Sequence, residues 1–285
     1  MAATLAVMLA GCGLVSPVEP DDPAGPLPTI EIGSDGTQAS DLVAALYVAA
    51  LQANGDPAVV VDVTPGTEML ALADYSPMAM PVFAATQLQE YSNEPLSSEA
   101  ATTISDLATE IAPEVGMLEA SKLDGGLVWA ATPESGLTSL TDLAGLPSGA
   151  IAVAPGFAMT ISSGVPVLEV AYDTTLIVTE LDDPGARAAA LASGDAVAAL
   201  FRRTEVTDLD GLVELDDPVG VIAPDPLVAA VSSELAEQRP DAVLVLDAVQ
   251  QQLDQDAYAE LVAASAADGL EPAITAWLAS RGLAG

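Results

Sequence analysis

Histidine is missing from all 285 residues, and cysteine occurs once, at Cys12. Without histidine the chain lacks the commonest general base and zinc ligand, and a lone thiol closes no internal disulfide and builds no metal cluster. Positive charge is nearly as scarce. Lys122, Arg187, Arg202, Arg203, Arg239 and Arg281 face 42 acidic residues, for a formal net charge of −36. Six scattered cations supply no basic face, so nucleic acid is not an expected partner. The negative field also repels anionic lipid, so the folded body does not lie on a membrane by charge. No Gly-x-Ser-x-Gly, Ser-x-x-Lys or metal-ligand spacing occurs, and the glycine-containing stretch Gly33–Thr37 lacks the Gly-Lys-Ser/Thr ending of a nucleotide loop. Catalysis is therefore disfavoured, and no cofactor is called for.

Just over half of the residues (51%) are apolar, ample for a core, and the length suits one large domain or two modest ones. Residues 2–10 form a short uncharged apolar run, too short to span a bilayer as a helix. Leu9-Ala10-Gly11-Cys12 follows and resembles the bacterial lipobox, in which the cysteine thiol receives a diacylglyceryl group. Residues 13–28, rich in Pro, Asp and Gly, read as a disordered tether. Signal, lipobox and tether in this order place the folded part outside the cytoplasmic membrane, anchored to it by lipid on Cys12.

From Thr29 the texture becomes α/β. "TIEIGSDG" reads as a strand and turn, "TQASDLVAALYVAALQANG" as an amphipathic helix stopped by Gly55, and "AVVVDVTP" as a β-branched strand. A strand is expected near 77–82, a long helical stretch over 97–120 with Ser98 as cap, and strands at 125–133, 150–154 and 196–200. Between them lie a short capped helix at 140–143 and a helix from Pro184 to Gly194; "VLEVAYDTT" reads as either strand or helix–strand junction. Residues 211–235 hold two short strands, and helical stretches complete the chain. This alternation predicts parallel or mixed sheets.

Several of these pieces, in order, resemble a known family. "SLTDLAGL", "AIAVAPG" and "ARAAALASGDAVAALF" are similar to the second lobe of type II periplasmic solute-binding proteins. "IEIGSDGTQAS", "MPVFAATQL", "GLVELDD" and "EPAITAWLASRGL" narrow the resemblance to the OpuAC-like glycine betaine/choline/carnitine-binding proteins of osmoprotectant ABC transporters. The resemblance implies a two-lobed type II periplasmic-binding-protein-like α/β fold with a hinge and an interlobe cleft. Lobe one would comprise 29–125 plus 223–285, and lobe two 126–222. It also implies a non-enzymatic subunit that passes a quaternary ammonium or cationic amine to a permease.

A quaternary ammonium has no N–H to donate, so it is held by aromatic faces, each contributing roughly 0.5–2 kcal/mol. The resemblance carries the family's ligand positions onto Phe83 and Thr86 in lobe one, and onto Phe201 and a site near Leu127 and Trp129 in lobe two. A cage tyrosine falls on Asp225, and the lysine expected after Gly33-Ser34 falls on Asp35. The ligand-binding set expected from sequence is therefore Ser34, Asp35, Phe83, Thr86, Trp129, Phe201 and Asp225. Two carboxylates where the family has a ring or a cation favour a ligand with positive charge and no carboxylate; Arg202 or Arg203 reaching the cleft would readmit a zwitterion. Tyr47, Tyr75 and Tyr172 are lesser candidates. A degenerate solute-binding fold that serves as an envelope scaffold or binds a different small amine is the alternative reading.

Overall fold

A computed structural model describes residues 28–74, 77–92, 95–111, 113–161, 164–205 and 211–284. Cys12, the tether up to residue 27 and Tyr75 lie outside the described residues. The first sheet is built from β1 (Ile30–Ser34), β2 (Ala58–Asp62), β3 (Met78–Phe83), β4 (Val115–Met117) and the late strand β10 (Leu227–Ser232). The second comprises β5 (Leu127–Ala131), β6 (Ile151–Ala154), β7 (Ile177–Glu180), β8 (Ala198–Arg202) and β9 (Val213–Glu214). The helices are α1 (Gln38–Ala53), α2 (Glu68–Asp74), α3 (Ala84–Gln89), α4 (Ala100–Glu110), α5 (Leu140–Leu143), α6 (Val165–Tyr172), α7 (Pro184–Ser193), α8 (Ser233–Gln238), α9 (Pro240–Gln250), α10 (Gln255–Asp268) and α11 (Leu270–Ser280).

The strand orders are β2-β1-β3-β10-β4 and β7-β6-β8-β5-β9. In each sheet three strands run parallel and the returning strand, β10 or β5, runs antiparallel to its neighbours. Each sheet thus has a two-lobed protein's hallmark: its own core, with the chain crossing between them twice. The crossings lie side by side, since Asp124 bridges Pro226, Gly125 N donates to Asp225 O at 2.8 Å and Leu227 N donates to Leu123 O at 3.0 Å.

Local chemistry explains the elements. The Thr37 hydroxyl accepts from Ser40 N and caps α1, whose buried face of Leu42, Val43, Leu46, Tyr47, Ala50 and Leu51 packs on the first sheet. The Tyr47 hydroxyl donates to Gln250 Oε1, and Gln250 Nε2 donates to Leu227 O, so a buried tyrosine ties α1 through α9 to β10. Burial, with Asp247 adding to it, pushes the Tyr47 phenol up from 10.0. In lobe two, Ser139 and Asp142 form a reciprocal capping box for α5. Arg187, fully buried, donates through Nη1 to Leu181 O and Asp182 O and through Nη2 to Glu205, its Nε is left without a partner among the described residues, and its guanidinium stands 5.1 Å from the Phe201 ring centroid.

Candidate functional site

In open α/β sheets, ligands bind beyond the carboxyl ends of parallel strands, where loops gather and helices start. Six such strand ends here converge between the sheets: the residues at and following the ends of β1, β2, β3, β6, β7 and β8. They enclose a cleft of about 540 Å³ lined by both lobes. Lobe one contributes Asp35 after β1, Gly66 and Glu68 after β2, and Phe83, Thr86, Gln87 and Glu90 from the end of β3 and α3. Lobe two contributes Phe157 after β6, Asp182 after β7, and Arg202 and Glu205 at the end of β8. A smaller pocket of about 220 Å³, which includes Asp225 and Leu127, adjoins it through shared Thr86, Glu90, Phe157 and Arg202.

The sequence-expected residues divide. Phe83, Thr86 and Asp35 line the cleft. The Phe83 ring presses on the crossing segment so closely that a Cβ at Gly125 would lie 2.4 Å from its Cδ1, so only glycine fits there. Asp35 also accepts from the Thr37 N and hydroxyl at 2.9 and 2.7 Å, which shapes the loop before α1. Ser34 is buried, and its hydroxyl donates to Asp41 at 2.6 Å while accepting from Gly36 N; it supports the loop from behind.

Asp225 is buried at the cleft's edge. Its Oδ1 accepts from Ala85 N at 2.6 Å and Thr86 N at 3.2 Å, and its Oδ2 accepts from the Thr86 hydroxyl at 2.6 Å. It therefore stabilises the start of α3, and a ligand would have to compete for it. Burial raises its pKa from 3.8, against the lowering influence of Thr86, Arg202 and Ala85.

Trp129 and Phe201 are corrected by their burial. Trp129 is 0% exposed in the lobe-two core with Leu140, Leu143 and Leu168. Phe201 is 1% exposed and packs on the opposite face of the sheet with Leu191, against Arg187. The pleat decides the second case: alternate residues of a strand face opposite sides, so with Phe201 turned into the core the next residue, Arg202, reaches the cleft. Of the lesser candidates, Tyr47 is core and the Tyr172 hydroxyl donates to Asp217.

Arg202 organises the space between the lobes. Its Nη1 donates to Thr86 Oγ1 at 3.1 Å and lies 3.9 Å from Asp225. Its guanidinium stands 4.5 Å from the centroid of Phe157, whose ring is 39% exposed. Five carboxylates (Asp35, Glu68, Glu90, Asp182 and Glu205) line the cleft beside this single guanidinium. Three are engaged within their own lobe: Asp35 as above, Asp182 by Gly156 N, and Glu205 by Arg187 and Arg202 N. Glu68 is 6% exposed, with Oε1 accepting from Gly66 N at 2.9 Å and Oε2 buried without a partner. Gln87, 5% exposed, has its Nε2 buried without a partner. A buried polar group without a partner costs about 1–3 kcal/mol, more when charged.

The arrangement is a cation-attracting cleft between two lobes, and comparison agrees with that architecture. Residues 28–280 match the family model for the substrate binding domain of ABC-type glycine betaine transport systems. The chain belongs to the OpuAC family. No curated protein matches the sequence. Among solved structures, a glycine betaine/carnitine/choline ABC transporter protein superposes with a TM-score of 0.75 at 16% identity, covering 90% of this chain and 100% of that one. Apo YehZ from Escherichia coli gives 0.70 at 18%, covering 90% and 99%. Lactococcal OpuAC, closed on glycine betaine, gives 0.62 at 14%, covering 89% and 96%. At these identities the likeness shows the OpuAC fold alone.

Sequence reasoning missed Phe157, Glu68, Gln87 and Glu90 because it followed the positions of the family's rings. The topology signal was available: "TPGTE" and "APGF" each follow a parallel strand at its carboxyl end.

Proposed function

We propose that this chain is the substrate-binding subunit of an ABC-type importer, anchored outside the cytoplasmic membrane by lipid on Cys12. It would capture an osmoprotectant or other small cationic or quaternary amine, of the glycine betaine, choline or carnitine class, and deliver it to a permease without altering it. The observation that carries this reading is the two-sided cleft with Phe83, Phe157 and five carboxylates around one guanidinium. Its volume of about 540 Å³ suits a small ligand. Arg202 also gives a zwitterion's carboxylate a partner, so betaines stay within the class. No helix among the described residues is long and apolar enough to cross a membrane.

A ligand that binds only the folded state raises its stability, by about 2.7 kcal/mol at a hundred times Kd. Melting curves with choline, glycine betaine, carnitine and smaller amines should therefore show a shift for at least one, reduced in Phe157→Ala. A flat response to all of them would favour the scaffold reading, which gains weight from the loss of Trp129 and Phe201 as cage rings. For the anchor, Cys12→Ala should release the protein from membranes on fractionation; a variant still bound to membranes contradicts lipidation at this residue.

A further inference from the structure

We infer that Arg202 is an internal competitor for the cation seat of the cleft, and that it thereby sets the ligand preference: a betaine, which carries a carboxylate, is favoured over choline, which carries none. This rests on the reading of the chain as a small-cation binder and deepens it.

The seat that a ligand cation needs is already taken by the protein's own cation. The Arg202 guanidinium stands 4.5 Å from the centroid of the Phe157 ring. Its Nη1 donates to Thr86 Oγ1, on the opposite lobe, at 3.1 Å and lies 3.9 Å from Asp225 Oδ2. Among the described residues lining the cleft, only Phe83 and Phe157 are aromatic, so the guanidinium engages one of the two rings on offer. Both members of the pair are reached by solvent: the Arg202 side chain is 26% exposed and Phe157 39%. This sets them apart from Arg187 and Phe201, a guanidinium and ring of similar spacing that are sealed in the lobe-two core.

Competition for this ring ends differently for the two kinds of ligand. Choline brings positive charge alone. To use the ring it must move the guanidinium off Phe157 and away from Thr86 and Asp225, and like charges oppose its approach until it does. Its apparent affinity falls with the fraction of molecules in which the seat is vacant. Glycine betaine brings the same trimethylammonium together with a carboxylate, which the planar fork of a guanidinium holds through paired N–H bonds. Among the described residues, Arg202 Nη1 has its bond to Thr86 while Nε and Nη2 donate to nothing, so part of the fork is open to such a group. Pairing draws the guanidinium from the ring to the carboxylate and leaves Phe157 to the methyl groups.

The test is calorimetric titration with glycine betaine and choline, which share the trimethylammonium group and differ by a carboxylate in one and a hydroxymethyl group in the other. The native chain should bind glycine betaine at least about ten-fold more tightly than choline, the scale of one charge-assisted hydrogen bond. Arg202→Met removes the charge and should move the two affinities in opposite directions, tightening choline and weakening glycine betaine. Arg202→Lys keeps a charge and should keep choline weak. A role in the framework alone would weaken both ligands together. Melting curves establish that the variants fold, and the comparison on the native chain needs no variant. Choline binding to the native chain as tightly as glycine betaine overturns the inference and leaves the small-cation reading standing. So does an Arg202→Met variant whose choline affinity is unchanged or lower, or an equal gain for choline in Arg202→Lys. Absence of binding of both ligands to the native chain and both variants overturns the inference and the reading together.

Discussion

At the scale of single residues, Asp225 shows how a position can be read for its charge and turn out to serve the framework. Its carboxyl accepts from two backbone N–H groups and one hydroxyl of α3. Burial nevertheless raises its pKa above the ordinary 3.8. A raised folded-state value means that the neutral form stabilises the fold: this contribution is full below pH 3.8 and lost as pH rises through the raised value. Asp225→Asn stays neutral and keeps an oxygen for the α3 N–H groups. Its melting temperature relative to the native protein should therefore improve between pH 4 and pH 7, as measured by thermal denaturation at both. A native advantage that grows over this interval would contradict the assignment. Phe201 and Arg202 carry a second lesson at this scale. Aromatic character marked Phe201 as a ligand residue, but a one-residue step along a strand exchanges core for cleft.

At the scale of elements, the sequence was legible wherever hydrophobic period and end signals agreed. The reading of residues 37–55 as a capped helix closing at Gly55 corresponds to α1 with its Thr37 cap, and the β-branched run after it to β2. The closing helices α8 to α11 also fall in the final part of the chain, read as helical stretches. The stretch over 97–120 was only half legible. Its helix ends at Glu110, and Val115–Met117 pairs with β10 as a short strand. Three residues are too few to show a period, and pairing with a strand more than a hundred residues away leaves no local trace. Ser98 does not cap that helix; Glu99 occupies the position without a side-chain bond. "VLEVAYDTT" resolves into α6, ended by Asp173 with φ 51, before β7. The site was less legible than the fold because its walls are loops. What brings Glu68 and Phe157 to one cavity is the shared carboxyl end of strands in two sheets, which no local pattern encodes.

At the scale of the whole molecule, Arg202 on lobe two, Thr86 on lobe one and Asp225 at the crossing form a polar link across the cleft. The surrounding carboxylates would otherwise favour separation of the lobes through like-charge repulsion. Arg202→Met keeps a long apolar stem and removes the guanidinium. In the absence of ligand, it should shift the lobes toward a more open arrangement, seen as a larger radius of gyration by small-angle X-ray scattering. A scattering profile identical to that of the native protein would show that Arg202 does not hold the lobes together.

The two crossings have a further consequence. Because Gly125 N donates to Asp225 O, the chain leaves the first lobe and re-enters it at almost the same point. Everything between is topologically an inserted cassette. Changes within the second lobe therefore leave the path of the host chain unaltered, so half of the binding wall lies between two neighbouring junctions.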